Sequence, residues 1–304
     1  SQDKIKRILY RPFDERYTYY TPQSRGFQCM PRYEVMRNML RGDNVGLCTT
    51  RSIEIGRGWE HIFCSRNIIQ HHTVSLKEVN YLFPLYIYPN GDHLLESFSW
   101  PEGKDGRRPN LAPAFVKEFA AKLGLEFVTD GRGDLRRTFG PEDVFYYAYA
   151  LFHSPTYRSR YAEFLKADFP RLPLTSDKKL FARLCALGEE LVGLHLLEKV
   201  NTPRTTFPQP GDNVVIKPRY TPPTGKIPGR VHINDSQYFE PVPLDVWGFQ
   251  IGGYKVCEKW LKDRKGRSLD FTDIECYRNI TEALCQTGEL MKKIDRTTNE
   301  WPIV

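Results

Sequence analysis

Residues 176–194, SDKKLFARLCALGEELVGL, carry a long helical pattern within this sequence of 304 residues. Leucine stands at positions 180, 184, 187, 191 and 194, so that five apolar side chains share one face of a helix. Shorter patterns of the same period lie around Phe119 and Tyr161, and a further helix is expected after Pro141. Together they predict a helical middle part over residues 111–200.

Strand-like runs dominate the residues before this helical part. They lie at 4–10, 45–49, 61–65 and 81–88, separated by turns rich in Gly, Asn, Pro and Arg. One helix is predicted among them, at residues 33–40. Residues 1–110 are therefore predicted to form a mixed, α+β part.

The residues after the helical part return to mixed structure. A Pro- and Thr-rich linker is predicted at 201–211, followed by strands at 213–217 and 230–234. Two helices follow, one at 254–262 and one beginning at Thr272, whose spacing to Glu275 matches a capping box. The predicted fold class is thus α+β, with three parts: 1–110, 111–200 and 201–304.

Composition narrows the class of protein. Apolar residues make up 40% and charged residues 27%, as in a folded globular domain. No apolar run approaches the roughly 20 residues needed to span a membrane, and the N-terminus has no signal-peptide pattern. The expected location is cytoplasmic. Because the chain starts at Ser1 without a methionine, it is expected to be one module of a longer polypeptide.

The charge is concentrated near the N-terminus. The formal net charge is +7, and the first 67 residues hold 12 basic and 7 acidic side chains, ten of the basic ones being arginine. Arginine suits two-point contacts with phosphate and with guanine. This bias favours binding to a polyanion, with a solvated basic face as the alternative.

Motifs for catalysis are missing from the sequence. No phosphate loop, nucleophile elbow or metalloprotease motif is present, and the seven cysteines form no zinc pattern. His71 and His72 are adjacent, so on a strand they would point to opposite faces and would not readily share one metal ion. No catalytic or metal-binding residue is therefore predicted, and a hydrolase using either histidine remains a third hypothesis.

Binding is the function that remains, and arginines on predicted loops are its candidates. Residues 10–26 interleave arginine with aromatic side chains, and residues 49–67 offer further donors. The alternative is that these arginines pair with nearby acids such as Asp14 or Glu15, and that the aromatic residues belong to the core. The residues predicted to contact DNA are Arg25, Arg32, Arg51, Arg57, Arg66, Asn67, Lys217 and Arg219.

Several longer motifs resemble one family. They are YRPFD at 10–14, PRYEVM at 31–36, YLFPLY at 81–86, YRSRYAEFL at 157–165, and IGGY at 251–254 with KWLKDRKGR at 259–267. The sequence resembles, from about residue 9 to 295, the C-terminal part of the single-polypeptide Type ISP restriction-modification enzymes.

This resemblance implies a target-recognition domain for double-stranded DNA. In the family, a nuclease, a helicase-like ATPase and an adenine methyltransferase precede this region, so S-adenosylmethionine, ATP and Mg would serve the parent enzyme and no cofactor is expected here. The methyltransferase and helicase modules of the same chain are the expected partners. A scaffold that docks on those modules without reading bases is the alternative, suited to the long helices after Ser176 and Thr272. The shared motifs are expected to be structural, with base readers in residues 51–66 and 201–230.

Overall fold

The computed structural model describes residues 2–24, 30–54, 58–89, 100–298 and 301–303. In the first part the elements are β1 (Ile5–Arg11), β2 (Asp14–Tyr19), α1 (Tyr33–Met36), β3 (Gly46–Thr50), β4 (Ile62–Ser65), β5 (Ile68–Ile69), β6 (Asn80–Pro84), β7 (Tyr86–Ile87) and β8 (Arg108–Pro109). They form small sheets of order β2-β1-β5, β4-β3-β6 and β7-β8. All pairs are antiparallel except β1 with β5.

Two predictions in this part need correction. The strand predicted at 81–88 is divided, because β6 pairs with β3 whereas β7 pairs with β8. Pro84 has no N–H with which to continue the ladder, and the chain changes sheets beyond it. The helix predicted at 33–40 begins at Tyr33 but tightens into a 3-10 turn at Arg37–Met39. The strands predicted at 4–10, 45–49 and 61–65 are confirmed to within one residue.

The middle part is helical, as predicted. Its elements are α2 (Pro113–Leu123), β9 (Glu126–Phe127), β10 (Thr138–Phe139), α3 (Pro141–Phe152), α4 (Pro155–Arg160), α5 (Ala162–Ala167) and α6 (Lys178–His195). The pattern around Tyr161 yields two short helices, α4 and α5, instead of one. The carboxylate of Asp177 caps α6 by accepting hydrogen bonds from the amides of Lys179 and Leu180, at 2.7 and 3.1 Å.

Helix α6 lies against α3 at very short range. A Cβ atom at Gly188 would be 1.8 Å from the carbonyl oxygen of Tyr146, so a residue with a side chain does not fit there. The leucines of the α6 pattern at 184, 187, 191 and 194 are all buried. Close backbone packing and leucine burial together make the α3–α6 pair the centre of the fold.

The last part combines two small sheets with helices. Its elements are β11 (Arg219–Thr221), β12 (Arg230–His232), β13 (Tyr238–Phe239), α7 (Leu244–Trp247), β14 (Gln250–Ile251), β15 (Tyr254–Lys255), α8 (Val256–Lys262) and α9 (Phe271–Thr297). Helix α9 packs on α6, α7 and α8. The α+β fold class is therefore confirmed.

Two local predictions in the last part were wrong. Residues 213–217 form no strand: Asn213 has a positive φ of 60°, and the extended strand comes later, at β11. The last helix is capped by Asp270, whose side chain accepts a 2.8 Å hydrogen bond from the amide of Asp273, so Thr272 and Glu275 form no capping box. Asp270 lies directly before the first helical residue, where a side-chain acceptor reaches free amides.

A continuous apolar cluster passes through all three predicted parts and includes Leu9, Phe119, Leu191 and Leu284. The loop between β14 and β15 also reaches the first part, because the amides of Gly252 and Gly253 donate hydrogen bonds to carbonyl oxygens of residues 60 and 74. The boundaries near residues 110 and 200 stay predictions.

Candidate nucleic-acid interface

Three of the predicted DNA contacts are bound to carboxylates of the protein. Arg51 Nε lies 3.1 Å from Asp168 Oδ1. Arg66 makes a two-point contact with Glu198, at 2.5 and 3.0 Å. Asn67 Nδ2 donates to an oxygen of Glu15 at 2.7 Å. These pairs join segments that are distant in sequence.

These pairs oppose DNA binding by the same side chains, because each pair has to break first, but they do not prevent it. Both arginine pairs are solvent-exposed, with the side chains of Arg66 and Glu198 46% and 42% accessible. The hydrogen bond to Glu198 is the largest cause of the raised pKa of Arg66. Exposed ion pairs contribute about 0–1 kcal/mol, so a phosphate can replace Glu198 at small cost.

Arg32 occupies a different position. It is exposed, has left-handed backbone angles (φ 48°, ψ 48°), and its carbonyl accepts hydrogen bonds from the amides of Val35 and Met36. Burial lowers the pKa of His71, and the charges of His72 and Arg32 lower it further, which places Arg32 near this histidine pair. The predicted contacts Arg25 and Arg57 lie outside the described residues.

The two histidine rings lie edge to face, with centroids 4.6 Å apart. The His72 Nδ1 atom lies 3.2 Å from the carbonyl oxygen of Ser75, and the hydroxyl of Ser75 accepts hydrogen bonds from the amides of Lys77 and Glu78. No cluster of three or more His, Cys, Asp or Glu side chains is placed to hold a metal ion in residues 2–24, 30–54, 58–89, 100–298 and 301–303.

Of the two remaining predicted contacts, Arg219 lies in the sheet of β11, β12 and β13, whereas Lys217 lies two residues before β11. The amide of Lys217 donates a 3.1 Å hydrogen bond to the carbonyl oxygen of Ile233. Directly opposed residues share a face in an antiparallel sheet. Arg219 opposes His232, which opposes Tyr238, while Thr221 opposes Arg230. These five side chains form what we call the cationic sheet face.

The opposite face of the same sheet is the one that packs on the protein. Val231 and Phe239 are fully buried there. Tyr220 stacks on Trp247 with ring centroids 5.8 Å apart and donates a 2.9 Å hydrogen bond to the carbonyl of Val242. Because this face is fixed, the cationic sheet face points away from the core.

Charges on the cationic sheet face influence each other. Burial lowers the pKa of His232, and the charges of Arg219 and Arg230 lower it further. Arg230 is held by Glu240 at 2.7 Å and lies over the ring of Tyr238. Within the described residues, no carboxylate pairs with Lys217 or Arg219, and both are exposed. These two cations are therefore available to an external anion.

The sequence contains a signal for this surface that the charge count of the first 67 residues does not cover. Residues 213–234 include Lys217, Arg219, Lys226 and Arg230 but no acidic residue. The structure adds that residues 219–232 of this stretch form one hairpin, which brings Arg219, Lys226 and Arg230 together in one element.

Membrane insertion was not expected, and within the described residues no helix combines the length and apolar character that crossing a membrane requires.

Comparison with known families gives a direct result. The sequence model of the Type ISP C-terminal specificity domain matches residues 1–293. The chain belongs to this family. The resemblance inferred from the motifs is thus confirmed. No curated protein sequence matches the chain.

Three solved structures share the fold of this specificity domain. One is a nuclease-deletion mutant of the Type ISP restriction-modification enzyme LlaGI in complex with a DNA substrate mimic (20% identity, TM-score 0.62, 97% of this chain and 25% of that chain). The second is the DrdV–DNA complex (21% identity, TM-score 0.66, 99% of this chain and 29% of that chain). The third is the ATP-dependent Type ISP restriction-modification enzyme LlaBIII bound to DNA (18% identity, TM-score 0.66, 100% of this chain and 19% of that chain). The domain thus spans less than a third of each of these chains.

The YRPFD motif of the specificity domain is internal. Asp14 is 1% exposed and accepts hydrogen bonds from Arg16 at 2.8 Å and from Arg264 at 3.1 Å. Arg11 is also buried and donates to the side chain of Gln70 at 2.7 Å. This placement gives the YRPFD motif a structural role, whereas Tyr81 and Phe83 of the YLFPLY motif and Phe164 of YRSRYAEFL are exposed.

Proposed function

We propose that this specificity domain recognises a short sequence of double-stranded DNA and positions it for the adenine methyltransferase and the ATP-dependent nuclease of its parent chain. The observation that carries the proposal is the cationic sheet face, with Lys217 beside it. Arg219 on this face and Lys217 just before β11 are exposed and have no carboxylate partner within the described residues, and the other face of the sheet is anchored in the core. Such a surface attracts a phosphate backbone without first breaking internal ion pairs.

The relatives support this assignment. LlaGI, DrdV and LlaBIII are each described with bound DNA. We extend that partner to the present domain, and we propose that S-adenosylmethionine, ATP and Mg act in the remainder of the parent chain. Arg32, Arg51, Arg66 and Asn67 are proposed as further contacts, with Arg51 and Arg66 exchanging a carboxylate for a phosphate.

Salt-dependent binding tests this function. Fluorescence anisotropy with a random-sequence duplex, repeated over a range of salt concentrations, gives the number of phosphates neutralised from the slope of log affinity against log salt. We expect Lys217→Ala with Arg219→Ala to reduce that slope by about two, because each lost phosphate contact removes about one. Arg66→Ala should reduce affinity less than Arg219→Ala, because Arg66 first has to leave Glu198.

A matched control removes the same charge elsewhere. Lys117 and Lys122 are exposed on α2, far from the hairpin in sequence. Changing both to alanine should leave the slope close to that of the unaltered chain. Binding that is absent, or equally insensitive to salt in every variant, would contradict DNA recognition by this domain.

A scaffold function is the second candidate, and one surface favours it. Tyr81, Phe83 and Phe164 are 38%, 42% and 73% exposed, and Phe169 packs against the first two. Phe164 and Phe169 also line a cavity of about 460 Å³. Exposed aromatic groups next to a cavity are typical of protein contacts. The helices α6 and α9 that suggested a scaffold use their apolar faces internally.

The proposed occupant of this aromatic surface is the methyltransferase module, one of the modules expected in the same parent chain. Phe83→Ser with Phe164→Ser in the parent enzyme should then weaken the assembly without changing DNA affinity of the isolated domain. Unchanged thermal stability of the parent would reject the scaffold.

A further inference from the structure

The tip of the hairpin between β11 and β12 projects into open space. A two-residue turn closes it, because the amides and carbonyls of Thr224 and Ile227 bond to each other at 3.0 Å in both directions. Gly225 has a φ of +58°, which suits such a turn, and a Cβ atom placed there would have no neighbour within 4 Å. At Gly225 the turn therefore has open space beside it, within the part of the protein that the structure describes.

The composition of the tip combines apolar and basic character. Pro222, Pro223 and Lys226 are exposed, and Ile227 is 49% exposed. A single exposed apolar residue needs no explanation in a soluble protein. Here, however, it lies next to a lysine in a segment without any acidic residue, at the turn that closes the hairpin.

The base of the arm is rigid, so its direction is fixed. Gly229 has no room for a side chain, because a Cβ atom there would lie 2.4 Å from both the hydroxyl of Tyr220 and the carbonyl of Val242. The carbonyl of Gly229 also accepts a 2.9 Å hydrogen bond from the amide of Val242. Prolines on both sides of the tip restrict the backbone and supply no N–H for pairing with another strand.

The dimensions of the arm fit one groove of DNA. The tip lies three to four residues beyond the last strand pair, Thr221 with Arg230. At about 3.3 Å per residue this gives a reach of roughly 10–13 Å. The major groove is about 12 Å wide and 8.5 Å deep and admits a two-stranded ribbon, whereas the minor groove, about 6 Å wide, does not admit it undistorted.

We infer that the hairpin tip enters the major groove and reads base edges, with Lys226 contacting a guanine and Ile227 contacting the methyl group of an adjacent thymine. Lysine is a donor suited to the O6 and N7 acceptors of guanine, and an apolar side chain suits the C5-methyl of thymine. Lys217 and Arg219, at the base of the same arm, bind the flanking phosphates. This inference rests on the proposed function and names the element that would carry its sequence specificity.

Selection from a random duplex library tests the inference. The 304-residue chain, Lys226→Ala, Ile227→Ala and the control Lys122→Ala are each used to enrich duplexes, which are then sequenced. We expect the Lys226 variant to lose its preference for guanine at one position, by about tenfold, and the Ile227 variant to lose a thymine preference next to it. All other positions of the enriched motif should remain.

Base analogues supply the second measurement. In the enriched duplex, uracil lacks the methyl group of thymine and 7-deazaguanine lacks the N7 acceptor. Each replacement should weaken the unaltered chain severalfold and leave the affinity of the corresponding variant unchanged, because the partner atom is already missing. Circular dichroism should show all variants folded, since Lys226 is exposed and Ile227 is 49% exposed at the turn.

The possible outcomes separate the two proposals. If the unaltered chain neither binds nor enriches any duplex, both DNA recognition and base reading by the tip are wrong. If it enriches a motif that both tip variants enrich without change, the tip is not the reader and DNA recognition stands. Salt-sensitive binding without any enrichment also overturns base reading by the tip.

Discussion

The buried ion network around Asp14 makes a quantitative prediction about the fold. Asp14 binds Arg16 and Arg264, and Arg264 in turn binds Asp273 at 3.1 Å and lies 3.4 Å over the ring of Trp260. Asp14→Asn keeps the shape of the side chain but removes its charge. Arg264, 9% exposed, would then keep only one carboxylate partner.

Breaking one side of a buried ion pair typically costs about 3–5 kcal/mol when the remaining charge is left uncompensated. Because Asp273 still pairs with Arg264, we expect Asp14→Asn to lower the free energy of unfolding by an amount at the lower end of that range, about 3 kcal/mol. Urea denaturation followed by circular dichroism measures it. The matched control is Asp168→Asn, which breaks the exposed pair with Arg51 and should cost no more than about 1 kcal/mol.

A second variant tests the reasoning itself. Combining Asp14→Asn with Arg264→Met replaces the stranded charge with an apolar side chain, which should recover part of the lost stability. A loss below about 1 kcal/mol for Asp14→Asn would refute the claim that the YRPFD motif acts by neutralising a buried arginine.

Two further predictions concern the helical centre. Gly188→Ala should destabilise the chain by at least about 1–3 kcal/mol in urea unfolding, because its Cβ atom would overlap the Tyr146 carbonyl; an unchanged midpoint would contradict the packing of α3 on α6. Burial, together with the charge of Arg158, lowers the pKa of His195 to about 3, so the unfolded chain takes up the proton first and stability should fall as the pH drops below about 6.5. The loss approaches about 1.4 kcal/mol per pH unit, and His195→Phe should reduce this slope; equal slopes in both proteins would contradict it.

The predicted helices and strands show which features of the fold a local sequence pattern can predict. The α6 pattern predicted its helix closely, because one apolar face repeating every three to four residues is a property of the segment itself. The run at 81–88 was less informative. Its division between β6 and β7 depends on two different partner strands, β3 and β8, which the local pattern does not identify.

The candidate site also depends on contacts between segments that are distant in the sequence. Arginine content drew attention to the first 67 residues, yet Arg51 pairs with a carboxylate 117 residues away and Arg66 with one 132 residues away. The composition of a segment gives the number of its charged side chains but does not show which of them pair with acids elsewhere in the fold. Lys217 and Arg219 were selected from the less motif-like stretches, and in the structure both are exposed, Arg219 in β11 and Lys217 two residues before it.

The sequence by itself determined the α+β class, most helices and the family, because periodicity and motifs depend on residues close together in the chain. The tertiary structure alone decided which cations remain available, since that depends on carboxylates brought together by folding. It also turned residues 219–232 into an anchored hairpin with an open tip, because the packing of Tyr220 on Trp247 fixes which face of the sheet points outward.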